Sequence, residues 1–215
     1  MIGQARAARL DPAPAVRGPA PWRAFAVYVG RMREFRRDDW AVYTAWVGMM
    51  VGLCAVAAGF VAVGRRVSAP VPAVAELVPI GAGIFTLAIA VDTIGHRTIY
   101  KEALRGAEAL VHRVIIGLGI GSCVLLCAAC RGGAACAVPA AVLTILSFLY
   151  SLVDEAMHWR RYLRGQSDAV EMWSHVFILI GHGMMMAGWW LWYARGYAGV
   201  AETWRARAGG ARGPS

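Results

Sequence analysis

The chain has 215 residues, of which 59% are hydrophobic and only 16% are charged. Soluble domains are usually about 45–50% apolar and about 25% charged, so this composition excludes an ordinary soluble domain and indicates an integral membrane protein. The formal net charge is +9, but no basic stripe is interleaved with aromatic side chains, and we expect no nucleic-acid partner.

The segment before the first apolar block divides into two parts. Residues 1–21 are rich in Ala, Pro and Arg and lack the apolar core of a signal peptide, which predicts a disordered basic tail. In residues 22–38, apolar side chains recur at helical spacing among arginines. This pattern predicts an amphipathic helix that either lies on the inner membrane surface or docks on a partner subunit.

Five apolar blocks are long enough to cross a lipid bilayer, and they must be helices because hydrocarbon cannot satisfy bare backbone groups. The blocks are Trp40–Gly64, Val74–His96, Glu108–Cys130, Ala134–Trp159 and Val170–Tyr193. We therefore predict an all-α integral membrane protein with about five transmembrane helices. Residues 39–66 form the first of these helices, residues 73–130 and 134–197 form two hairpins that make a four-helix bundle, and residues 198–215 form a basic C-terminal tail.

Small residues in the spans predict sites of close helix packing. Gly48 and Gly52 form one GxxxG pair, and Gly117 and Gly121 form another. Such pairs let two helix backbones approach closely in a membrane.

The outer end of the bundle carries aromatic residues and cysteines. An aromatic belt is predicted where the last span leaves the bilayer, formed by Trp189, Trp190, Trp192, Tyr193 and Tyr197. A disulfide between Cys130 and Cys136 is plausible in an oxidising compartment, and a metal site formed with Cys127 is the weaker alternative.

The distribution of basic residues predicts the orientation. The segments that share a side with the N-terminus carry about twice as many Arg and Lys residues as the opposite segments. This asymmetry predicts that the N-terminus lies inside and the C-terminus outside. We expect the membrane to be a bacterial inner membrane.

An internal repeat is the most informative feature of the sequence. Repeat 1 runs Asp92-x3-His96-x3-Tyr100 and then Glu108-x3-His112. Repeat 2 runs Asp154-x3-His158-x3-Tyr162 and then Glu171-x3-His175. In a chain of this composition, chance would supply well under one Asp-x3-His pair and well under one Glu-x3-His pair, whereas two of each occur. The repeats run in the same direction, which predicts two hairpins related by a pseudo-twofold axis along the membrane normal.

The spacing places carboxylates and imidazoles on one face of each helix, because residues four apart are neighbours there. All of them lie near the same membrane boundary. Four helices that converge such groups follow the plan of di-iron and di-manganese carboxylate sites. We predict a metal site, dinuclear by this analogy, whose ligands are Asp92, His96, Glu108, His112, Asp154, His158, Glu171 and His175. Tyr100, Tyr162 and Glu155 are expected to orient these ligands, although the two tyrosines could equally be interfacial anchors.

A ligand set of imidazoles and carboxylates suits iron, manganese, zinc or Cu(II). The sequence has no convergent thiolates, which would be needed to favour Cu(I). An Asp-x3-His pair followed by a His on the next helix resembles the intramembrane copper site in the C subunit of copper membrane monooxygenases. The resemblance covers either Asp92, His96 and His112 or Asp154, His158 and His175. The spacing to the last His differs from that site and no other part of the chain is similar, so the resemblance does not imply membership of that family.

His182 follows His175 by seven residues, about 10 Å deeper on the same helix face. One interpretation is a buried histidine that bonds to a hydroxyl such as Ser147 or Ser151. The other is an extra ligand, a substrate contact or a haem ligand.

These features predict a membrane metalloprotein that performs redox or hydrolytic chemistry on a small or lipophilic substrate, with redox chemistry favoured. One alternative is a b-type cytochrome that binds haem b through histidines of paired spans. Others are a metal carrier and a non-catalytic subunit of a larger membrane complex, and partner subunits or a homo-oligomer fit each of these. A further alternative is that the Asp–His pairs only tie helix ends together.

Overall fold

The computed structural model describes residues 21–99 and 107–210, with side chains in 21–99 and 110–208. Tyr100, the side chain of Glu108 and the basic tail before Pro21 lie outside the described residues. The described chain is all-helical, and five of its helices are long and apolar enough to cross a membrane. The prediction of an all-helical chain is confirmed for the described residues, as is the number of helices long and apolar enough to cross a membrane.

The helices follow one another with short connections. They are α1 (Pro21–Gly30), α2 (Arg37–Arg66), α3 (Leu77–Thr98), α4 (Ala107–Gly132), α5 (Ala134–Leu163), α6 (Ala169–Ala194) and α7 (Val200–Gly210). Short 3-10 turns follow α1 and precede α3, at Arg31–Glu34 and Ala73–Glu76. Because consecutive spans alternate in direction, the end of α3, the start of α4, the end of α5 and the start of α6 share one membrane boundary, which we call the N-side boundary.

The spans pack as two pairs. α3 lies along α6, and α4 lies along α5, while contacts of α6 with α5 and α4 join the pairs. Among the described residues α3 makes no close backbone contact with α4, although the two are consecutive. α2 packs on α3, and among the described residues its backbone lies close to no other span, although its Phe60 ring lies 6.1 Å from the Trp192 ring of α6. A gap therefore remains between α2 and α3 on one side and α4 on the other.

Glycines allow α3 and α6 to approach closely. A Cβ at Gly81 would lie 2.3 Å from the backbone N of Met185, and a Cβ at Gly181 would lie 2.5 Å from the backbone N of Phe85. Neither space can hold a side chain, so each glycine is required by the backbone of the facing helix.

The predicted GxxxG contacts are largely not found. A Cβ at Gly48, Gly52 or Gly117 would meet no described atom within 4 Å, so the expectation of close packing was wrong for these three. At Gly121 a Cβ would lie 2.9 Å from the side chain of Leu143, so this position does pack closely. The motif requires a facing helix, and the exposed glycines of α2 have none within the described chain.

Two residues of the predicted aromatic belt belong to the core instead. Trp192 and Tyr197 are only 7% and 8% exposed. The Tyr197 hydroxyl donates a hydrogen bond to the backbone O of Leu126, and Trp192 Nε1 donates to the backbone O of Ala198. Burial raises the pKa of the Tyr197 hydroxyl. These two rings therefore close the far end of the bundle rather than anchor it in the interface.

The C-terminal segment and the cysteines also differ from expectation. α7 lies where only a tail was expected, and its Trp204 ring packs 5.7 Å from Phe60 of α2. All five cysteines are free, so the expected Cys130–Cys136 disulfide is not formed. Helix α4 continues through Gly132, and the sulfur of Cys136 packs against that glycine instead.

At the N-side boundary, α1 and the loop before α6 cover the ends of the spans. The Tyr28 side chain is buried and packs on Gly95, the residue before His96. Arg31 lies 3.8 Å from Asp168 in the loop before α6. These contacts place a short helix against the N-side ends of α3 and α6.

Candidate metal centre

The acid–histidine residues of both repeats come together at the N-side boundary. α3 and α5 bring theirs in their last turns, and α4 and α6 bring theirs in their first turns. The described residues that meet there are Asp92, His96, His112, Asp154, Glu155, His158, Glu171 and His175.

Asp92 lies between two imidazoles. Its Oδ2 is 3.1 Å from Nε2 of His96, one turn further along α3. Its Oδ1 is 3.1 Å from Nε2 of His175 in α6. We call these three residues the Asp92 group, and it combines an Asp-x3-His pair of repeat 1 with the last histidine of repeat 2.

Asp154 has the corresponding neighbours. Its Oδ1 is 2.9 Å from Nε2 of His112 in α4 and 3.7 Å from Nε2 of His158, one turn further along α5. This Asp154 group combines an Asp-x3-His pair of repeat 2 with the last histidine of repeat 1. Each group therefore contains two imidazoles and one carboxylate, and each draws on both repeats.

The two groups are in direct contact. The ring centroids of His158 and His175 are 3.5 Å apart. His175 Nδ1 is 3.7 Å from Oδ2 of Asp154 and 3.5 Å from Oε1 of Glu155. His158 Nδ1 is 3.2 Å from Oε1 of Glu171. One continuous polar cluster thus joins four helices.

Each group is compact enough for its atoms to be drawn onto one metal ion. Within each group, and within a third formed by His158, Glu171 and His175, one candidate ligand atom per residue lies within 4.8 Å of the others. Two ligand atoms each about 2.1 Å from an ion are about 3.0–3.4 Å apart at octahedral to tetrahedral angles. The closest N···O separations in the Asp92 and Asp154 groups are 2.9–3.1 Å. The buried groups could therefore hold a metal ion with small adjustments.

Two imidazole nitrogens are buried without an aligned hydrogen-bond partner in the described part of the chain, namely Nε2 of His158 and Nε2 of His175. His175 Nε2 lies at hydrogen-bonding distance from Asp92 but is not aligned as a donor to it. His158 Nδ1 faces Glu171, which leaves its Nε2 lone pair available. Buried polar atoms without a partner are costly, and each of these nitrogens would be satisfied by a metal ion bound to its group.

The cluster is strongly acidic for a buried site. Four carboxylates belong to it, those of Asp92, Asp154, Glu155 and Glu171. Arg161 contacts His158 at 3.5 Å, whereas the Arg97 guanidinium is paired with Asp39. Buried charges require compensation, which either imidazolium groups or bound cations can supply.

Tyr162 lies apart from this cluster. Its side chain is 37% exposed and packs edge-on against Trp159. Among the described side chains it has no contact with an imidazole of the cluster, so its position is closer to that of a surface anchor than to that of a residue that orients a ligand.

His182 is separate from the cluster and lies between two aromatic rings. Its centroid is 4.6 Å from that of Phe148, nearly parallel to it, and 5.7 Å from that of Phe85. The Ser147 hydroxyl is fully buried and has no hydrogen-bond partner among the described residues, so the expected bond between His182 and Ser147 is not formed.

A cavity of about 1340 Å³ adjoins the cluster and fills the gap between α2, α3 and α4. Asp92, His96, His112, Asp154 and His175 line it at the N-side boundary. Its walls further along are mostly apolar, and they include His182 and Ser147. The sequence contained no direct signal for this cavity, because it results from the way in which the helix pairs diverge.

Other residues of the site also escaped the sequence analysis. The Arg97 guanidinium binds the buried Asp39 carboxylate at 2.6 Å and so ties α2 to α3 next to His96. The acidic residue Asp39 at the start of the first apolar block was the sequence signal that could have indicated this ion pair.

The chain was also compared with known proteins. No protein-family model, no curated protein and no solved structure matches it.

Proposed function

We propose that this chain is a membrane metalloprotein with a dinuclear site, in which one ion binds the Asp92 group and the other binds the Asp154 group. The site would perform redox chemistry on a small or lipophilic substrate. The two groups have the same composition and exchange their last histidines, as expected if the repeats are related by a twofold axis along the membrane normal. In this proposal the site lies at the cytoplasmic boundary of a bacterial inner membrane.

The observation that carries the proposal is the convergence of two imidazoles and one carboxylate in each of the two groups. In each group one candidate ligand atom per residue lies within 4.8 Å of the others. The carboxylate charge of this buried cluster requires compensation, and cations bound to these atoms would supply it.

The composition of each group bears on the metal. Two histidines with one carboxylate form the ligand set of non-haem Fe(II) oxygenases, and zinc, manganese and Cu(II) accept the same atoms. Four carboxylates also match the charge of two divalent ions. Bound there, redox-active ions would supply electron transfer or oxygen chemistry, and the protein would supply the apolar cavity beside them.

The surrounding residues would hold the ligands in place. Glu171 accepts from Nδ1 of His158 and Glu155 lies beside Nδ1 of His175, so each carboxylate orients an imidazole whose Nε2 faces the site. Such carboxylate–histidine–metal arrangements set the ring orientation and the tautomer. Glu171 is thereby placed to orient His158, although its oxygen is also within reach of an ion in the third group.

The haem alternative fits less well. The four imidazole rings of the cluster pack against one another, with centroids of His96 and His112 5.2 Å apart and those of His158 and His175 3.5 Å apart. A bis-histidine haem needs two imidazoles on opposite faces of a porphyrin, and no such space lies between these rings. His182 is enclosed by Phe85 and Phe148 rather than by a second histidine.

Elemental analysis with an optical spectrum of the full chain, purified in nanodiscs under gentle conditions, tests the proposal. We expect close to two transition-metal ions per chain and no Soret band. Asp92→Asn and Asp154→Asn should each lower the metal content, because each removes a carboxylate ligand of one ion. Asp168→Asn, in the exposed loop before α6, should leave the metal content unchanged. A metal-free protein after reconstitution with Fe(II), Mn(II), Zn(II) and Cu(II), or a Soret band with one haem per chain, would overturn it.

A further inference from the structure

The cavity beside the cluster opens sideways. Residues of α2 and α4 line it and are also exposed on the outer surface, namely Met49, Leu53, Val56, Ile116, Ile120 and Val124. α2 and α4 are both long and apolar enough to span a membrane, and among the described residues their backbones make no close contact. We therefore infer that this opening faces the hydrocarbon of the bilayer. A molecule dissolved in the membrane can therefore enter without crossing water.

The interior of this cleft has a polar position among apolar walls. The Ser147 hydroxyl is fully buried, lines the cavity and lacks a hydrogen-bond partner among the described residues. The buried imidazole of His182 lines the same cavity and stacks on Phe148, the residue after Ser147. A buried hydroxyl without a hydrogen-bond partner costs free energy, so we expect a polar atom of a ligand to form a hydrogen bond with the Ser147 hydroxyl.

We propose that the cleft binds a membrane-soluble molecule with a hydrocarbon chain and one hydroxyl or carbonyl oxygen, and that Ser147 and His182 recognise this oxygen. The inference rests on the proposed function in naming the substrate class of the metal site. His182 is seven residues from His175, so the oxygen would lie about 10 Å from the cluster along α6.

The lining of the cleft favours a membrane-soluble molecule over a transmembrane helix of a partner. The cavity has a volume of about 1340 Å³, and its mostly apolar walls also include the polar side chains of Ser147 and His182. Small-molecule sites are typically apolar clefts with a few placed polar groups, which is the arrangement found here.

Photo-cross-linking in nanodiscs tests this inference with a diazirine derivative of hexadecan-1-ol as the probe. We expect labelled peptides from α2 and α4, and competition by unlabelled hexadecan-1-ol that is about 2–10 times more effective than competition by hexadecane, the range expected for one hydrogen bond. Ser147→Ala and His182→Gln should each abolish the preference for hexadecan-1-ol over hexadecane. The probe should still label both variants, because its hydrocarbon chain still binds the cleft.

Two matched variants separate the cleft from the general lipid surface. Ile120→Trp would fill the cleft and should reduce labelling at least several-fold, whereas Ile145→Trp, on an exposed position of α5 outside the cavity, should not. Metal content is measured on the same samples. Normal metal content without cleft labelling, or with labelling that Ile120→Trp leaves unchanged, overturns the inference alone. Cleft labelling in a protein that binds no metal supports the lipid-binding cleft and overturns the metal site.

A copurifying polypeptide whose peptides cross-link to α2 and α4 in place of the probe would also overturn the inference, because a partner helix would then occupy the cleft.

Discussion

Asp92 of α3 contacts His175 of α6, with Oδ1 and Nε2 3.1 Å apart. The matching contact, between Asp154 and His112, joins α5 to α4 at 2.9 Å. These are the same two helix pairs that pack most extensively along their lengths. The polar contacts at the N-side boundary therefore join the same helices that pack along their lengths. We expect metal binding and helix packing to stabilise each other.

The first prediction concerns the last histidine of each repeat. His112→Ala and His175→Ala should each remove at least half of the bound metal, because each histidine belongs to one ion's ligand set and water cannot hold its neighbours in position. Metal per chain is measured by mass spectrometry of the purified variants. Unchanged metal content in both variants would mean that these contacts only tie helix ends together. A severe effect of His175→Ala with a silent His112→Ala would mean that only the Asp92 group is loaded.

The sequence was sufficient to predict the five apolar helices and the described acids and histidines that meet at their ends. Hydrophobic block length marks a membrane helix directly, and an Asp-x3-His pair is a neighbour relation within one helix. Which histidine meets which aspartate depends instead on how the helices pair. That pairing depends on glycines such as Gly181, whose role is visible only against the facing backbone of α3. The GxxxG pair of α2 shows the converse, because a matching pattern without a facing helix has no packing role within the chain.

The second prediction concerns Glu155, whose Oε1 is 3.5 Å from Nδ1 of His175. Glu155→Gln keeps the shape of the side chain but removes its charge, so the imidazole should be less well oriented and less basic. Metal affinity should fall about 10–100-fold, the range typical of residues that orient ligands. Competition with a chelator of known affinity measures it. An affinity equal to that of the wild-type chain would remove Glu155 from the site.

The third prediction concerns Tyr162, whose exposed ring packs on Trp159 rather than on an imidazole. Tyr162→Phe should leave metal content and affinity unchanged, because it removes only a hydroxyl at the surface. The measurement is the same chelator competition, with Glu155→Gln as the comparison. A loss as large as that of Glu155→Gln would show that the hydroxyl reaches the ligands in the functional protein.

The fourth prediction concerns orientation. An odd number of spans places the two chain ends on opposite sides of the membrane, and the five apolar helices supply that number. A tag before Met1 should be protected from protease in intact cells, and a tag after Ser215 should be cleaved, as the distribution of basic residues predicts. Two protected or two accessible tags would require that one of the five helices does not cross.

The last prediction concerns the close approach of α3 and α6. At Gly181 an added Cβ would lie 2.5 Å from the backbone N of Phe85, and backbone cannot move aside as a flexible side chain can. Gly181→Val should therefore force the helices apart, at a cost of about 1–3 kcal/mol or more by analogy with overpacked cores. The matched control is Gly48→Val, since a Cβ there meets no described atom within 4 Å. Thermal unfolding in detergent should show a lower Tm for Gly181→Val alone. Asp92 and His175 lie on the two helices that separate, so the metal content of Gly181→Val should fall as well. A Gly181→Val variant with a lower Tm and full metal content would show that the site does not depend on this helix pair.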